Sequence, residues 1–325
     1  MPEADWLSQL LQIITVTGQL EVRCAYGAPW RVTWEQAASN EIPYHVVVGG
    51  RAILEDPQTG TAQELACGDI VLLPHGAAHV LHDGSGRTPV PTRQHRGAAG
   101  WMLSENDGGG EKLDLMCGRF SITPPHDRMI RNYLPANLVA RAQPSPTGSA
   151  DGGAAAQLAS LVRLMRMESA ADRTGSRAIL DALSSALFAL VLRAASEDGQ
   201  APAGLLALAG HPRLAPAITA LFGDPAHPWK LPELADRCGM SRATFMRHFQ
   251  SRLGCSALDL LTDLRMSLAA NELKKPAIST EAVAEAVGYQ SVAAFRRMFT
   301  ERMGMTPGAW RRQAQQGAQL DTHTK

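Results

Sequence analysis

The feature that most constrains this chain is a pattern near its C-terminus that occurs twice. The first copy runs Leu234-Ala235-x-x-Cys238-Gly239-Met240-Ser241 and continues with Phe245, Phe249 and Gly254. The second copy runs Val283-Ala284-x-x-Val287-Gly288-Tyr289-x-Ser291 and continues with Phe295, Phe299 and Gly304. Each copy has the pattern of an apolar helix, a glycine turn and a second helix. The repeat predicts two helix-turn-helix motifs, a structure that presents a helix to the major groove of DNA.

In the second helix of each copy, helical periodicity separates a buried face from an outward face. Because an α-helix advances about 100° per residue, Phe245 and Phe249 share one face and are expected to pack on the preceding helix. Ser241 and Ser291 are expected to be the N-caps of the two second helices. The candidate DNA contacts are Ser241, Arg242, Ala243, Met246, Arg247, Gln250, Ser291, Val292, Ala293, Arg296 and Arg297.

Arginine suits DNA recognition because its guanidinium group binds guanine or phosphate through two parallel hydrogen bonds. The second outward face begins Val292-Ala293-Ala294 and has little hydrogen-bonding capacity, so base recognition there is expected to depend on Arg296 and Arg297. Simple solvation of the arginines is the alternative interpretation. Between the copies, apolar residues from 258 to 273 predict one connecting helix, which would hold the two recognition helices about 34 Å apart, one turn of DNA.

These motifs resemble those of the AraC-type transcription regulators over residues 229–312. The matching segments are Leu234-Ala235, Gly239-Met240-Ser241, Phe249, Arg265-Met266-x-x-Ala269, Gly288-Tyr289, Phe295-x-x-x-Phe299 and Gly304-x-Thr306-Pro307. The resemblance includes the second turn, which is one residue longer than the first. It implies an all-α DNA-binding domain with double-stranded promoter DNA as its partner, and it adds a contact with RNA polymerase as a further expectation.

Charge is distributed unevenly along the 325 residues. From Pro228 to Lys325 there are 14 Lys and Arg residues against 9 Asp and Glu, whereas the whole chain has 31 of each. A basic segment joined to an acidic one suits the binding of a polyanion such as DNA. Five cysteines without framework spacing indicate a reducing compartment. With no recognisable secretory signal and no apolar run judged long enough to span a bilayer, a cytoplasmic protein without a membrane partner is expected.

The N-terminal part of the chain is predicted to be rich in strands. Short apolar runs such as Tyr44-His45-Val46-Val47-Val48 are bounded by Gly, Pro and Asp. The segment Gly68-Asp69-x-x-x-x-Pro74-x-Gly76-x-x-His79 is similar to the second motif of cupins, which are small β-barrels, and the similarity implies that His79 points into the barrel. The usual first cupin motif supplies two His and a Glu. Only His45 stands in the comparable strand, which argues against a standard enzymatic metal site.

The whole chain resembles the subgroup of AraC-type regulators that carries a cupin-like sensor domain, among them regulators that respond to reactive chlorine species. In this subgroup two Cys and two His recur, and here they would be Cys24, His45, His79 and Cys117. Two thiolates and two imidazoles suit tetrahedral zinc, so zinc is the candidate cofactor and these four residues are the candidate ligands. Alternatively, Cys24 and Cys117 are oxidant-sensitive sensor residues, or merely small buried side chains.

Shifts in composition predict an α+β, multidomain protein. Residues 1–125 are expected to form the cupin-like β-barrel, residues 126–225 a linker and central helical segment, and residues 226–315 the double helix-turn-helix domain. The segment Asp83–Glu111 is interpreted as a long loop and residues 143–153 as a linker. An apolar stripe in the central segment either packs against the barrel or forms the seam of a homodimer. The stripe consists of Leu183, Leu187, Leu190 and Val191.

Three functions are compatible with these features. The first is a sequence-specific DNA-binding transcription regulator, not an enzyme, whose cupin-like domain senses a small molecule, a metal or an oxidant. In the second, the same domain is a dimerisation scaffold without a sensing role. The third is a metal-dependent cupin enzyme with a DNA-binding module, which would require a catalytic metal with an open coordination position.

Overall fold

The computed structural model describes residues 5–97, 100–142, 153–171, 173–197, 203–275 and 278–323. Contacts divide the chain into two compact units. One unit is Thr15–Pro202; the other combines Met1–Ile14, which contains helix α1 (Trp6–Ile13), with Ala203–Lys325. This division differs from the three expected segments, because the helices that follow residue 125 group with the strands and α1 groups with the C-terminal helices. The expected linker lies outside the described residues except for Gly153.

The unit Thr15–Pro202 is built from two sheets and three helices in its described part. Its strands are β1 Val16–Gly27, β2 Arg31–Trp34, β3 Glu41–Gly49, β4 Arg51–Glu55, β5 Ala62–Ala66, β6 Asp69–Leu72, β7 His79–His82, β8 Thr92–Arg96, β9 Met102–Asn106, β10 Lys112–Ile122 and β11 Leu138–Arg141. Its helices are α2 Asp127–Tyr133, α3 Ala154–Ala171 and α4 Ser176–Glu197. The strand order is β11-β6-β3-β10-β1-β9-β8 in the larger sheet and β2-β7-β4-β5 in the smaller.

The central strands of the larger sheet are buried on both faces, which explains the continuous apolar run in β3. On one face, Val47 joins a core cluster that also contains Leu54 of β4 and Leu81 of β7. On the other face, the ring of Tyr44 stacks on Phe120, whose ring lies 5.1 Å from that of Phe188 in α4. A strand covered on both sides needs apolar residues at successive positions and does not show simple alternation.

Helix α4 is long and apolar enough to cross a membrane by length and composition alone. The expectation that the chain has no such run is therefore wrong on those two criteria. Here Leu180, Leu187, Phe188 and Leu192 are completely buried, and the helix packs along β1. Because Leu187 and Val191 also have no exposed surface, that part of the predicted apolar stripe packs inside its own unit.

The segment predicted to be a long loop, Asp83–Glu111, contains two strands. Strand β8 pairs with β9 in antiparallel fashion, and β9 pairs with β1 in parallel. Gly and Pro residues dominate the flanks of these strands, and β8 is exposed along its whole length. The segment therefore lacked the alternating apolar pattern by which a half-buried strand is recognised.

The second unit contains the predicted helix-turn-helix repeat. Its helices after α1 are α5 Leu205–Ala209, α6 Ala215–Gly223, α7 Leu231–Arg237, α8 Arg242–Leu253, α9 Ala257–Glu272, α10 Thr280–Ala286, α11 Val292–Met303 and α12 Pro307–His323. Helices α7 and α8 form the first motif, α10 and α11 the second, and α9 is the predicted connecting helix. The four core phenylalanines are 0–1% exposed, and their rings meet in pairs within α8 and within α11. These predictions are confirmed.

Helix α1 completes the hydrophobic core of this unit from the opposite end of the sequence. Its side chains Leu7, Leu10 and Ile13 are buried, and Trp6 makes an edge-on ring contact with Phe222 of α6. The side-chain amide of Asn271 in α9 donates a hydrogen bond to the carbonyl of Ile13 at 2.9 Å. The helix that joins the two DNA-binding motifs is thus packed against the first helix of the chain.

Replacing Leu10 by Ala should destabilise the helical unit by about 2–5 kcal/mol, because it leaves a cavity where the side chain is 1% exposed. We expect faster hydrogen exchange in α6 and α9, measured by mass spectrometry on the full chain. The matched control is Leu258→Ala, at a position of α9 that is 37% exposed, where a change within about 0.5 kcal/mol is expected. Equal exchange in the two variants would show that α1 does not support this unit.

Candidate functional site

The four residues that the resemblance implied lie together between the two sheets of the unit Thr15–Pro202, which is called the cupin unit below. Cys117 in β10 pairs across the sheet with His45 in β3, and its Sγ is 3.1 Å from His45 Nδ1. The Nε2 atoms of His45 and His79 are 2.7 Å apart, which joins the larger sheet to β7 of the smaller one. Cys24 lies in β1, next to β10, and is a diagonal neighbour of Cys117 across that strand pair. All four side chains are at most 3% exposed.

Hydrogen-bond geometry fixes the protons of this cluster. The Nδ1 atom of His79 is 2.8 Å from the carbonyl of Ala77, which can only accept, so Nδ1 carries the hydrogen. In a neutral ring, His79 Nε2 is then an acceptor and must receive its hydrogen bond from His45 Nε2–H. His45 Nδ1 is left with a lone pair, which faces the thiol of Cys117. The cluster is therefore a chain in which Cys117 donates to His45, His45 to His79, and His79 to Ala77.

Burial keeps both histidines neutral and separates the two thiols chemically. It lowers the pKa of His45 well below its usual range, with a smaller effect from neighbouring His79, and it also lowers the pKa of His79. The hydrogen bond with Cys117 lowers the pKa of Cys24 in spite of burial, because the single S–H of Cys117 turns from His45 to the Cys24 thiolate when Cys24 ionises. Burial raises the pKa of Cys117 well above its usual range. Cys24 is thus the more readily ionised thiol, and Cys117 is the thiol that has a base beside it.

One aromatic residue that the sequence analysis left without a role encloses the histidines. The ring of Trp34 in β2 is parallel to that of His79 at 5.2 Å and meets that of His45 edge-on at 4.7 Å. Strand pairing places Trp34 directly opposite His79. A half-buried tryptophan in a short strand has no distinguishing sequence signal, so its partner could be found only from the fold.

A zinc ion does not fit the four residues as they are placed. In the part of the chain that the structure describes, no group of three His, Cys, Asp or Glu residues is arranged to hold a metal ion. A tetrahedral zinc would hold two imidazole nitrogens about 3.3 Å apart, whereas the two Nε2 atoms share a hydrogen at 2.7 Å. Cys117 lies at the opposite edge of the His45 ring. The same placement gives no support to a metal-dependent cupin enzyme.

The remaining cysteines and histidines near this region lie outside the cluster. His75 is hydrogen-bonded to the carbonyl of Leu134, and His82 is paired with Glu55 at 3.1 Å. Of the other cysteines, Cys67 is exposed, and Cys238 is buried at the end of α7 in the helical unit. The cluster therefore consists of the two cysteines and two histidines that the resemblance implied.

The candidate DNA contacts form two outward surfaces in the helical unit. Both expected N-caps are present, since the Ser241 side chain accepts from Thr244 N–H and that of Ser291 accepts from Ala294 N–H. Apart from one half-buried residue, Val292, which packs on the core of the second motif, the predicted contacts are exposed. These exposed residues are Ser241, Arg242, Ala243, Met246, Arg247, Gln250, Ser291, Ala293, Arg296 and Arg297.

Besides the two N-cap serines, two of the exposed side chains already have partners within the unit. Gln250 donates to the carbonyl of Gly254 at 2.8 Å and helps to end α8. Arg296 forms an ion pair with Glu281 of α10 at 3.1 Å. Glu281 was not among the residues expected to contribute to DNA binding.

Comparison with known proteins identifies both parts of the chain. A family model described as Cupin matches residues 5–197, and one described as Helix-turn-helix domain matches residues 234–313. The HTH-type transcriptional regulator MtrA of Neisseria gonorrhoeae is 30% identical over 317 residues, covering 96% of this chain and 99% of that protein. The chain belongs to the AraC-type transcription regulators. This regulator therefore combines an N-terminal cupin domain with a DNA-binding domain, as the resemblance implied.

A second relative matches over nearly the same length. It is the RCS-specific HTH-type transcriptional activator RclR of Escherichia coli (strain K12), which is 28% identical over 313 residues and is matched over 99% of its own length. Like the first relative, its name describes a transcriptional regulator and not an enzyme. The fold class expected from the sequence, an α+β multidomain chain, is confirmed.

Acidification should weaken the cupin unit because His45 and His79 are held neutral when folded. Their folded pKa values lie below the ordinary 6.5, so below that pH the unfolded chain binds more protons and the free energy of unfolding falls. We expect urea unfolding to show this loss beginning near the ordinary pKa of 6.5 and continuing as the pH falls further. The pH dependence should shrink in His45→Gln and persist in His95→Gln, a change on exposed β8. An unchanged pH dependence in His45→Gln would contradict this account.

Arg247→Ala should weaken binding to a preferred DNA site by about 1–3 kcal/mol and relax the base preference at one position. Arg247 is exposed on α8 next to the other predicted contacts. Binding titrations against a set of singly substituted duplexes would measure both effects. The control, Arg96→Ala, removes an exposed arginine from β8 in the cupin unit. If affinity and base preference are retained in Arg247→Ala, this arginine does not read DNA.

Proposed function

We propose that this regulator senses an oxidant through Cys24 and Cys117 and that their oxidation changes its binding to promoter DNA. The observation that carries the proposal is a pair of buried thiols on diagonal positions of neighbouring strands, one of which faces the lone pair of a neutral histidine. A dimerisation scaffold has no need of such a pair. The name of the RCS-specific relative supports the same class of signal.

The two thiols are suited to different steps of disulfide formation. Cys24, whose pKa is lowered, supplies the thiolate that attacks the chlorine of hypochlorous acid or an oxygen of a peroxide, giving a sulfenyl chloride or a sulfenic acid. Cys117 then attacks the Cys24 sulfur and displaces chloride or hydroxide, while its proton passes to His45 Nδ1. The thiols lose two electrons and two protons in total, and the oxidant accepts the electrons.

Burial selects the kind of oxidant that reaches the site. Cys24 is 1% exposed and Cys117 is 3% exposed, so a bulky disulfide reagent has no access to either sulfur. A small neutral molecule such as hypochlorous acid crosses an apolar core at a lower cost than an anion does. The proposed effector is therefore a small, uncharged, two-electron oxidant.

Forming the disulfide requires movement of β1 against β10. Cys24 stands opposite Leu115, and Cys117 stands opposite Val22, so the two cysteines are diagonal neighbours on the same face. Diagonal pairs in a sheet are typically about 7–8 Å apart between Cα atoms, at or beyond the limit for a disulfide in an unmoved backbone. The pairing of β1 with β10 is already irregular between Leu20 and Val22. We expect β1 to shift at this irregularity when the disulfide forms.

A short stretch of chain connects β1 to the helical unit. Only Ile14 and Thr15 separate α1 from β1, and α1 packs against α6 and α9. We infer that displacement of β1 is transmitted through α1 to α9 and changes the arrangement of the two helix-turn-helix motifs. In this mechanism oxidation shifts the population between two arrangements that differ in affinity for DNA.

The proposed setting is a homodimer acting in the cytoplasm on promoter DNA, with contact to RNA polymerase during regulation. The outward face of α3 and α4 is the proposed dimer seam, because Leu164, Met167 and Ile179 are large apolar side chains exposed by 43–63%. Leu164 and Met167 are one turn apart on α3, and adjoining exposed apolar side chains are typical of protein–protein contacts. Paired subunits would bind paired DNA half-sites.

The test is a DNA-binding titration of the full chain before and after treatment with hypochlorous acid, with intact mass recorded on the same samples. We expect wild-type protein to lose two hydrogens and to change in affinity. Cys24→Ser and Cys117→Ser should show neither change, while Cys67→Ser, at an exposed cysteine, should behave as the wild type. If the affinity of Cys24→Ser responds to the oxidant as wild type does, the thiol pair is not the sensor.

A further inference from the structure

The two helix-turn-helix motifs differ at a pair of positions that the fold brings together. Aligning Val283-Ala284 with Leu234-Ala235 places Glu281 where the first motif has Pro232. Aligning Phe295 with Phe245 places Arg296 where the first motif has Met246. Both positions are thus uncharged in the first motif and oppositely charged in the second.

The two charged side chains are in direct contact. Arg296 Nη2 lies 3.1 Å from Glu281 Oε1, and each side chain is 59% exposed. An ion pair this accessible to water contributes little to stability, so stability does not explain its presence. Arg296 lies on the outward face of α11, next to Arg297 and Ala293, which is the surface turned towards DNA in this family of motifs.

We propose that Glu281 is a specificity-determining residue that positions Arg296 to read a guanine in the half-site of the second motif. The inference rests on DNA binding by the helix-turn-helix domain. Glu281 engages one of the five N–H donors of the guanidinium group and restricts its rotation. The remaining donors include a parallel pair that fits the O6 and N7 acceptors of guanine.

The carboxylate of Glu281 also discriminates against other contacts. It repels DNA phosphates and cannot donate to an acceptor such as thymine O4, whereas it accepts a hydrogen bond from the N4 amino group of cytosine. A free arginine binds any nearby phosphate, but an arginine held by a carboxylate loses part of that non-specific attraction. Glu281 is thus expected to reduce affinity for random DNA and to raise the preference for a G·C pair.

The two motifs would then use different chemistry in their half-sites. Met246 is 42% exposed at the position equivalent to Arg296, and its thioether chain suits apolar contact with a thymine methyl group. The second motif would read a G·C pair at the corresponding place. This asymmetry would fix the orientation of the protein on a site that has no internal symmetry.

The experiment compares wild type, Glu281→Gln and Glu285→Gln as full chains. Glu285 is exposed on the same helix, so its replacement removes the same charge without removing the contact to Arg296. Each protein is titrated with a site selected from randomised duplexes, with singly substituted versions of that site, and with a random duplex. We expect Glu281→Gln to lose about tenfold in discrimination at one G·C pair and to bind random DNA more tightly, whereas Glu285→Gln changes discrimination at no position.

A double-mutant cycle separates positioning from a general charge effect. If Glu281 acts through Arg296, Glu281→Gln has no effect on base discrimination when Arg296 is also replaced by Ala. With Arg296 intact, Glu281→Asp keeps a carboxylate and should retain more discrimination than Glu281→Gln. The proposal would be overturned if Glu281→Gln and Glu285→Gln had the same base discrimination. It would also be overturned if the losses caused by Glu281→Gln and Arg296→Ala simply added in the variant that carries both. If wild type selects no sequence at all, sequence-specific DNA binding itself fails, which is a distinguishable result.

Discussion

The hydrogen bond from His79 to the carbonyl of Ala77 sets the chemistry of the whole cupin core. Because a carbonyl oxygen can only accept, this 2.8 Å contact fixes the hydrogen on His79 Nδ1 and, through the 2.7 Å contact between the rings, the hydrogen on His45 Nε2. His45 is left with an acceptor facing Cys117. Without the hydrogen bond to Ala77, either ring nitrogen of each histidine could carry the hydrogen, and the thiol of Cys117 would have no defined base. The same contacts occupy the nitrogen atoms that a metal ion would need.

The helical unit depends on a different constraint, which is the repeated burial of two phenylalanines in each second helix. Their removal from solvent fixes which face of α8 and of α11 turns outward, and the serine N-caps fix where each helix begins. The outward side chains can vary without loss of the fold. This freedom allows Pro232 and Met246 in one motif to be replaced by Glu281 and Arg296 in the other.

The parts of the structure that follow local rules could be predicted from the sequence. Helix periodicity, N-caps and glycine turns are determined within a few residues, and the two motifs and the connecting helix α9 were found from them. The turns at Gly68 and Gly76, both with positive φ, belong to the same class. The grouping of Cys24, His45, His79 and Cys117 came from a resemblance and not from spacing, because contacts between distant strands leave no local pattern.

What could not be predicted depends on long-range pairing. Strand β9 joins the sheet in parallel beside β1, and its flanks look like a loop because glycine and proline dominate them. Trp34 and Glu281 take their roles from neighbours that the fold supplies. The division of the chain into units was also hidden, since no property of residues 6–13 indicates that their partners are at the other end of the chain.

The position of α1 has a consequence for how the protein is made. The hydrogen bond between Asn271 and Ile13 joins residues 258 positions apart. At a synthesis rate of about 5–20 residues per second, the apolar face of α1 leaves the ribosome roughly 13–50 s before α9 exists to cover it. The cupin unit can fold in that interval, but the DNA-binding unit cannot. A truncated chain released before α9 would therefore carry an uncovered apolar helix and no DNA-binding activity, so DNA binding is confined to molecules whose synthesis has passed α9.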